Sequence, residues 1–88
     1  MLTKKDFNAL PFVERNKLVF TDGKFIDVFH ENKLQKGFFY KLGDLKIDVI
    51  YDKVHNKLLD IIAWENENDR VQFLKMPVEE GYVESVGN

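Results

Sequence analysis

The chain is predicted to be an α+β domain, with one or two N-terminal helices packed on a curled antiparallel β-meander of four to five strands. Three observations carry that expectation. Helix punctuation is confined to the first two dozen residues, where Thr3, Pro11 and Gly23 stand at starts and stops. From Lys24 onward, apolar residues come in short alternating runs separated by turn residues. One of those runs is centred on Gly43-Asp44, and a turn there puts Phe38, Tyr40, Leu42, Leu45, Ile47, Val49 and Tyr51 on one side of a sheet, because side chains alternate faces with period two.

A first short helix is expected from about Lys4, because Thr3 followed by Asp6 has the spacing of a capping box, and it would carry Phe7 and Leu10 inward. Pro11 disfavours helix at Leu10 but suits the first turn of a second helix, Pro11 to about Thr21. At 100° per residue, Phe12, Val13, Asn16, Val19 and Phe20 share a side, away from Glu14, Arg15 and Leu18, with Gly23 as a left-handed stop. A competing reading makes Leu18-Val19-Phe20 a strand joined to Lys24-Phe25-Ile26 by an Asp22-Gly23 turn. The Pro start and Gly stop together favour the helix.

Strands are expected over 24–31, 35–42, 45–53, 57–65 and 70–75. The first link, around Asn32-Lys33, leaves the register open. The second, Gly43-Asp44, puts Gly first as a type II′ turn requires and pairs Leu42 with Leu45, Tyr40 with Ile47 and Phe38 with Val49. For the third, a four-residue loop over 53–56 would set Asp60 opposite Val49 on the apolar face. A three-residue loop, Val54-His55-Asn56 with Asn56 left-handed, instead pairs Tyr51 with Leu59, Val49 with Ile61 and Ile47 with Ala63. Residues 1–75 form one domain in this reading, and 76–88 are a C-terminal tail.

The same registers send Phe39, Lys41, Lys46, Asp48, Ile50, Asp52, Leu58, Asp60, Ile62 and Trp64 to the opposite face. A freely solvated sheet face is polar, so large apolar groups there need a cover. Curling of the sheet, the helices or the tail could supply it. Alternatively, Phe39, Ile50, Leu58, Ile62 and Trp64 form an interface for self-association or a protein partner, with the two aromatic rings as anchors.

Composition narrows the chemistry. The absence of Cys excludes disulfides, thiolate metal sites and a thiol nucleophile, and fits a reducing cytoplasmic setting. No apolar stretch has the length of a signal peptide or a membrane span. A net charge of -2 provides no global attraction for nucleic acid or an anionic membrane. Lys36-Gly37-Phe38-Phe39-Tyr40 shares the opening of an RNA-recognition signature, but Phe39 breaks the pattern, the loops leave no room for that fold's helix, and Phe38 and Tyr40 belong to the core face. His30, near the end of the first strand, and His55, at a turn tip, read as surface histidines. Ser85 lies in the tail, so no triad is assembled. Asp52-x-x-His55 offers too few ligands for a metal, and Glu65-x-Glu67-x-Asp69 lacks the Gly and final Glu of a calcium loop. No enzyme activity, cofactor or metal is therefore expected.

The order Phe7-x-x-Leu10-Pro11, Gly23-x-Phe25, Tyr40-x-Leu42, Val49-x-Tyr51-Asp52 and Asn56-Lys57 resembles a set of small uncharacterised bacterial proteins in which a helix leads into an antiparallel β-meander. The resemblance covers roughly residues 7 to 64 and implies that fold, with no activity or site residue. The functional expectation is a non-catalytic interaction module, as a homodimer or with another protein. The alternative is a small-ligand binder with an apolar pocket beneath Tyr40 and Tyr51.

Overall fold

The computed structural model describes residues 2–70. Two helices, α1 (Lys4–Ala9) and α2 (Phe12–Asp22), precede four strands, β1 (Lys24–Glu31), β2 (Gln35–Leu42), β3 (Leu45–Asp52) and β4 (Lys57–Trp64). The strands form one antiparallel sheet in the order β1-β2-β3-β4, a curled and unclosed meander. Arg70, expected to open a fifth strand, lies in a helical turn over 67–70 instead. The rest of that expected strand and the 76–88 tail lie outside the described residues.

The helix starts follow the sequence to within one residue. Thr3 Oγ1 accepts the Asp6 N–H at 3.1 Å, while Pro11, expected as the first helical residue, is the N-cap with an extended ψ of 153° and α2 begins one residue later. Gly23 corrects the expected stop: its backbone is extended, with φ -78°, because the chain passes straight into β1 at Lys24. Glycine is required there by proximity, since a Cβ would collide with the Val19 carbonyl.

The β2–β3 ladder has the predicted register, from Leu42 opposite Leu45 through Phe38 opposite Val49, and continues to Gln35 opposite Asp52. Gly43 supplies the positive φ of 63° at the turn. The β3–β4 link departs from expectation in an informative way. It closes with four residues, Asp52 opposite Lys57, and Asn56 takes the predicted left-handed φ of 56°. A bulge at Leu59 then absorbs one residue, so Tyr51 faces Leu58 while Val49 still meets Ile61 and Ile47 still meets Ala63. Leu58 therefore packs against the core, and the partly exposed Leu59 is the residue displaced.

Phe7, Val19, Ile47, Val49, Ile61 and Ala63 form the buried core between the helices and one sheet face, flanked by Leu10, Phe12, Leu18 and Leu58. Helix α2 is rotated from its expected orientation: Leu18 faces the core and Val13 is 71% exposed. The cause is Arg15, which turns inward to donate to the Leu10 carbonyl at 3.1 Å and to the Ile61 carbonyl, and pairs with Asp60. Asn8 of α1 complements it. Its side-chain amide donates to the Ala63 carbonyl at 3.0 Å and accepts the Ala63 N–H at 2.8 Å, as a neighbouring strand would. The two helices thus satisfy backbone groups on the free edge of β4.

Candidate functional site

The second sheet face is organised around Gly37. A Cβ at this position would lie 2.6 Å from the Phe29 ring, so glycine allows that ring to lie directly on the strand. Phe29 gains its position from a register irregularity between Val28 and His30. Beside it, Phe39 and Trp64 pack with ring centroids 5.8 Å apart. The guanidinium of Arg70 fills the space among the three rings, 4.0 Å from the Phe29 centroid, 4.5 Å from Trp64 and 5.1 Å from Phe39. Lys46 Nζ approaches the Trp64 ring as well, at 5.1 Å.

Asp48 forms the floor of this cage. It is 1% exposed and accepts a 2.9 Å hydrogen bond from Arg70 Nε. Burial pushes its carboxyl above the ordinary value, against the opposing pull of the Arg70 charge. The indole N–H of Trp64 lies on the same side and favours the carboxylate without completing a hydrogen bond. A cavity of about 120 Å³ adjoins the cage, bordered by Lys4, Asn8, Asp48, Ile62, Trp64 and Arg70 among others. Lys4 reaches towards Glu65 and Asp69 at 4.0 and 3.9 Å and so spans the turn that carries Arg70.

The other end of the face is polar. Gln35 and Asp52 sit opposite each other and are both buried. Asp52 caps the β3–β4 turn by accepting the Val54 and His55 N–H groups at 2.9 and 3.1 Å, and it meets His55 Nδ1 at 2.7 Å. The His55 contact holds the Asp52 carboxyl below its usual range despite burial. Lys53 ties the two neighbouring links together, donating to Glu31 at 3.0 Å and to the Asn32 carbonyl at 2.8 Å. That bond lowers the Glu31 carboxyl.

Of the five residues predicted for an interface, Phe39, Ile50, Ile62 and Trp64 do share the second face. Ile50 and Trp64 are buried, and Phe39 and Ile62 are half-buried. Leu58 is excluded by the Leu59 bulge. The sequence reading missed Phe29 and Arg70, since one depends on a bulge and the other lay in an expected strand. It placed Asp48 on this face but not in a buried ion pair. His30, expected as a surface side chain, is half-buried: its Nε2 is buried and without a hydrogen-bond partner. The same holds for Gln35 Nε2, Asp48 Oδ1, Trp64 Nε1 and Arg70 Nη2, and all five of these atoms belong to the second face.

Two features lie elsewhere. Phe20, Phe25 and Tyr40 stack edge-on at the α2–β1 corner, with centroids 5.4 and 5.6 Å from Tyr40, and burial raises the Tyr40 hydroxyl above its ordinary value. An open apolar groove of about 430 Å³ is bordered by Leu2, Leu18, Leu42, Gly43 and Asp44, and not by the tyrosines expected to cover a pocket. Among the described residues there is no cluster of metal-ligating side chains, and no helix is long and apolar enough to cross a membrane. Compared with protein-family models, with curated proteins and with solved structures, the chain matches none.

Proposed function

We propose that the protein is a non-catalytic interaction module that engages a protein partner through the second face of its sheet. One observation carries this reading: among the described residues, the five buried side-chain polar atoms without hydrogen-bond partners all belong to that face. Native interiors leave few such atoms, and each costs about 1–3 kcal/mol. Their concentration on one face supports a surface whose polar groups are completed by an incoming molecule. Phe39 and Ile62, half-buried at its margin, supply apolar contact area.

The test is a pair of substitutions in the full chain. Ile62→Asp places a charge on the second face, and Val13→Asp changes the exposed side of α2. Partner capture from the host, together with light scattering across concentration, should be abolished by I62D and unaffected by V13D. A partner or dimer retained by I62D, in a variant that circular dichroism shows to be folded, refutes the assignment.

The apolar groove beside Leu2, Leu18 and Leu42 favours a second reading, a small apolar ligand. A thermal-shift screen that raises the wild-type midpoint but not that of Leu18→Asp would favour it over the first.

A further inference from the structure

Arg70 contacts Asp48 in an incomplete way. Guanidinium and carboxylate form their strongest pair through two parallel hydrogen bonds, yet here only Nε donates, to Oδ2, while Asp48 Oδ1 and Arg70 Nη2 are both buried and unpartnered. The cage chemistry suits a guanidinium, with aromatic faces around it and an anion beneath, but the resident does not use all of it. The resident stands on a helical turn over 67–70, whose backbone bond from Arg70 N to the Asn66 carbonyl is long at 3.4 Å. The pairs from Lys4 to Glu65 and Asp69 are exposed and long, a kind that contributes little.

We infer that Phe29, Phe39, Trp64 and Asp48 form a receptor for an arginine side chain presented by a partner protein, and that Arg70 is a displaceable resident of that receptor. The inference rests on reading the second face as the interaction surface and specifies the chemistry of what binds there. An arginine approaching from outside is free of the backbone connection that holds Arg70 in its one-bond pose, and it can pair with both oxygens of Asp48. The partner is a different protein rather than a second copy. Of the two arginines, Arg15 is held against β4 by the Leu10 and Ile61 carbonyls, and a second copy's Arg70 would have to vacate its own cage to fill this one, an exchange with no net gain in filled cages.

Trp64 is the chain's only tryptophan, so its fluorescence reports the cage directly. The full chain and its Arg70→Ala variant are titrated with an acetyl-Gly-Arg-Gly-amide peptide and with the same peptide carrying citrulline, which keeps the shape and removes the charge. R70A should show a saturable Trp64 response to the arginine peptide, about tenfold tighter than wild type because the competing resident is gone. The citrulline peptide should give none, and adding Asp48→Asn should remove the response. A folded R70A without a saturable response, or equal responses to both peptides, overturns the inference. If partner capture is then still lost in I62D, the second face remains an interface and only its arginine chemistry falls. A concentration-dependent doubling of mass that R70A abolishes would assign the occupant to a second copy's Arg70 and overturn the choice of partner. Should R70A fail to fold, the wild-type titration decides by the same contrast: a charge-dependent saturable response supports the receptor, and its absence refutes it.

Discussion

Asn8→Ala should destabilise the fold far more than its place in a six-residue helix suggests. The side chain makes two hydrogen bonds to a residue 55 positions away, accepting the Ala63 N–H at 2.8 Å and donating to the Ala63 carbonyl at 3.0 Å. A typical protein hydrogen bond contributes about 0.5–1.5 kcal/mol net, so the pair accounts for about 1–3 kcal/mol. Ala63 is only 3% exposed, which hinders water from replacing the lost partners and places the cost in the upper half of that range. For a domain of this size, about 2 kcal/mol lowers the melting temperature by about 8–16 °C. Urea unfolding measures the change directly, as a lower midpoint at unchanged slope, and hydrogen exchange at the Ala63 amide should speed up in parallel. Asn8→Asp sharpens the test. The new carboxylate still accepts the Ala63 N–H but sets an oxygen against the Ala63 carbonyl, so its folded pKa is raised. The deficit relative to wild type is then greatest at neutral pH and shrinks as pH falls through that raised value, where the protonated acid donates to the carbonyl. A loss below about 0.5 kcal/mol in N8A, the ordinary scatter of surface substitutions, refutes the edge-capping account, as does a pH-independent deficit in N8D.

Three other changes probe the same structure. Gly37→Val forces the Phe29 ring off β2 and opens the Arg70 cage; overpacking of this kind costs about 1–3 kcal/mol, read by thermal unfolding with a red shift of Trp64 emission. Asn56→Val burdens the left-handed position with a branched side chain and costs about 1–2 kcal/mol, whereas Asn56→Gly stays near neutral by urea midpoint. Asp52→Asn flattens the acid limb of stability. The wild-type carboxyl is depressed in the fold, so its contribution is present above the unfolded value of 3.8 and lost as pH falls through the lower folded one. Urea midpoints for both proteins across that window check the sign; a variant with the wild-type slope contradicts it.

Local chemistry was the legible part of this chain. Thr3, Pro11, Gly43 and Asn56 each act through the backbone of their own turn; the structure places Thr3, Gly43 and Asn56 in the roles their residue types dictate and sets Pro11 at the N-cap, one residue ahead of its expected helical position. The β2–β3 register was equally readable, since a two-residue turn leaves no slack. What the sequence hid depends on contacts distant in the chain. The inward turn of Arg15 needs the open edge of β4 as its target, so helical periodicity alone put Leu18 on the wrong side. The Leu59 bulge reconciles a four-residue loop with an apolar register, a compromise that appears only when both strands are laid together. The candidate site shows the same division. Alternation identified Phe39, Ile50, Ile62 and Trp64 as one surface, but the charge that fills it comes from Arg70, across 22 residues from Asp48.

The two sheet edges bear on how a partner can approach. A free strand edge invites pairing with another chain, and here both edges are blunted. On β4, Asn8 occupies the Ala63 backbone groups and Arg15 the Ile61 carbonyl. On β1, two register irregularities break the ladder and the Asp27 carboxylate accepts the Val28 N–H at 2.7 Å, removing a donor from the edge row. Strand addition would have to displace these caps before gaining any ladder bond. The second face offers the reverse situation, since buried polar atoms that lack partners are already present there, Asp48 Oδ1 beside Arg70 among them. Recognition through side chains on the face, rather than through the backbone at an edge, is therefore the cheaper route in free energy. A partner or arginine peptide that binds this protein should accordingly change Trp64 fluorescence while leaving exchange at the Val28 and Ala63 amides unaltered; strong new protection at Val28 would show that the edge, not the face, is the site.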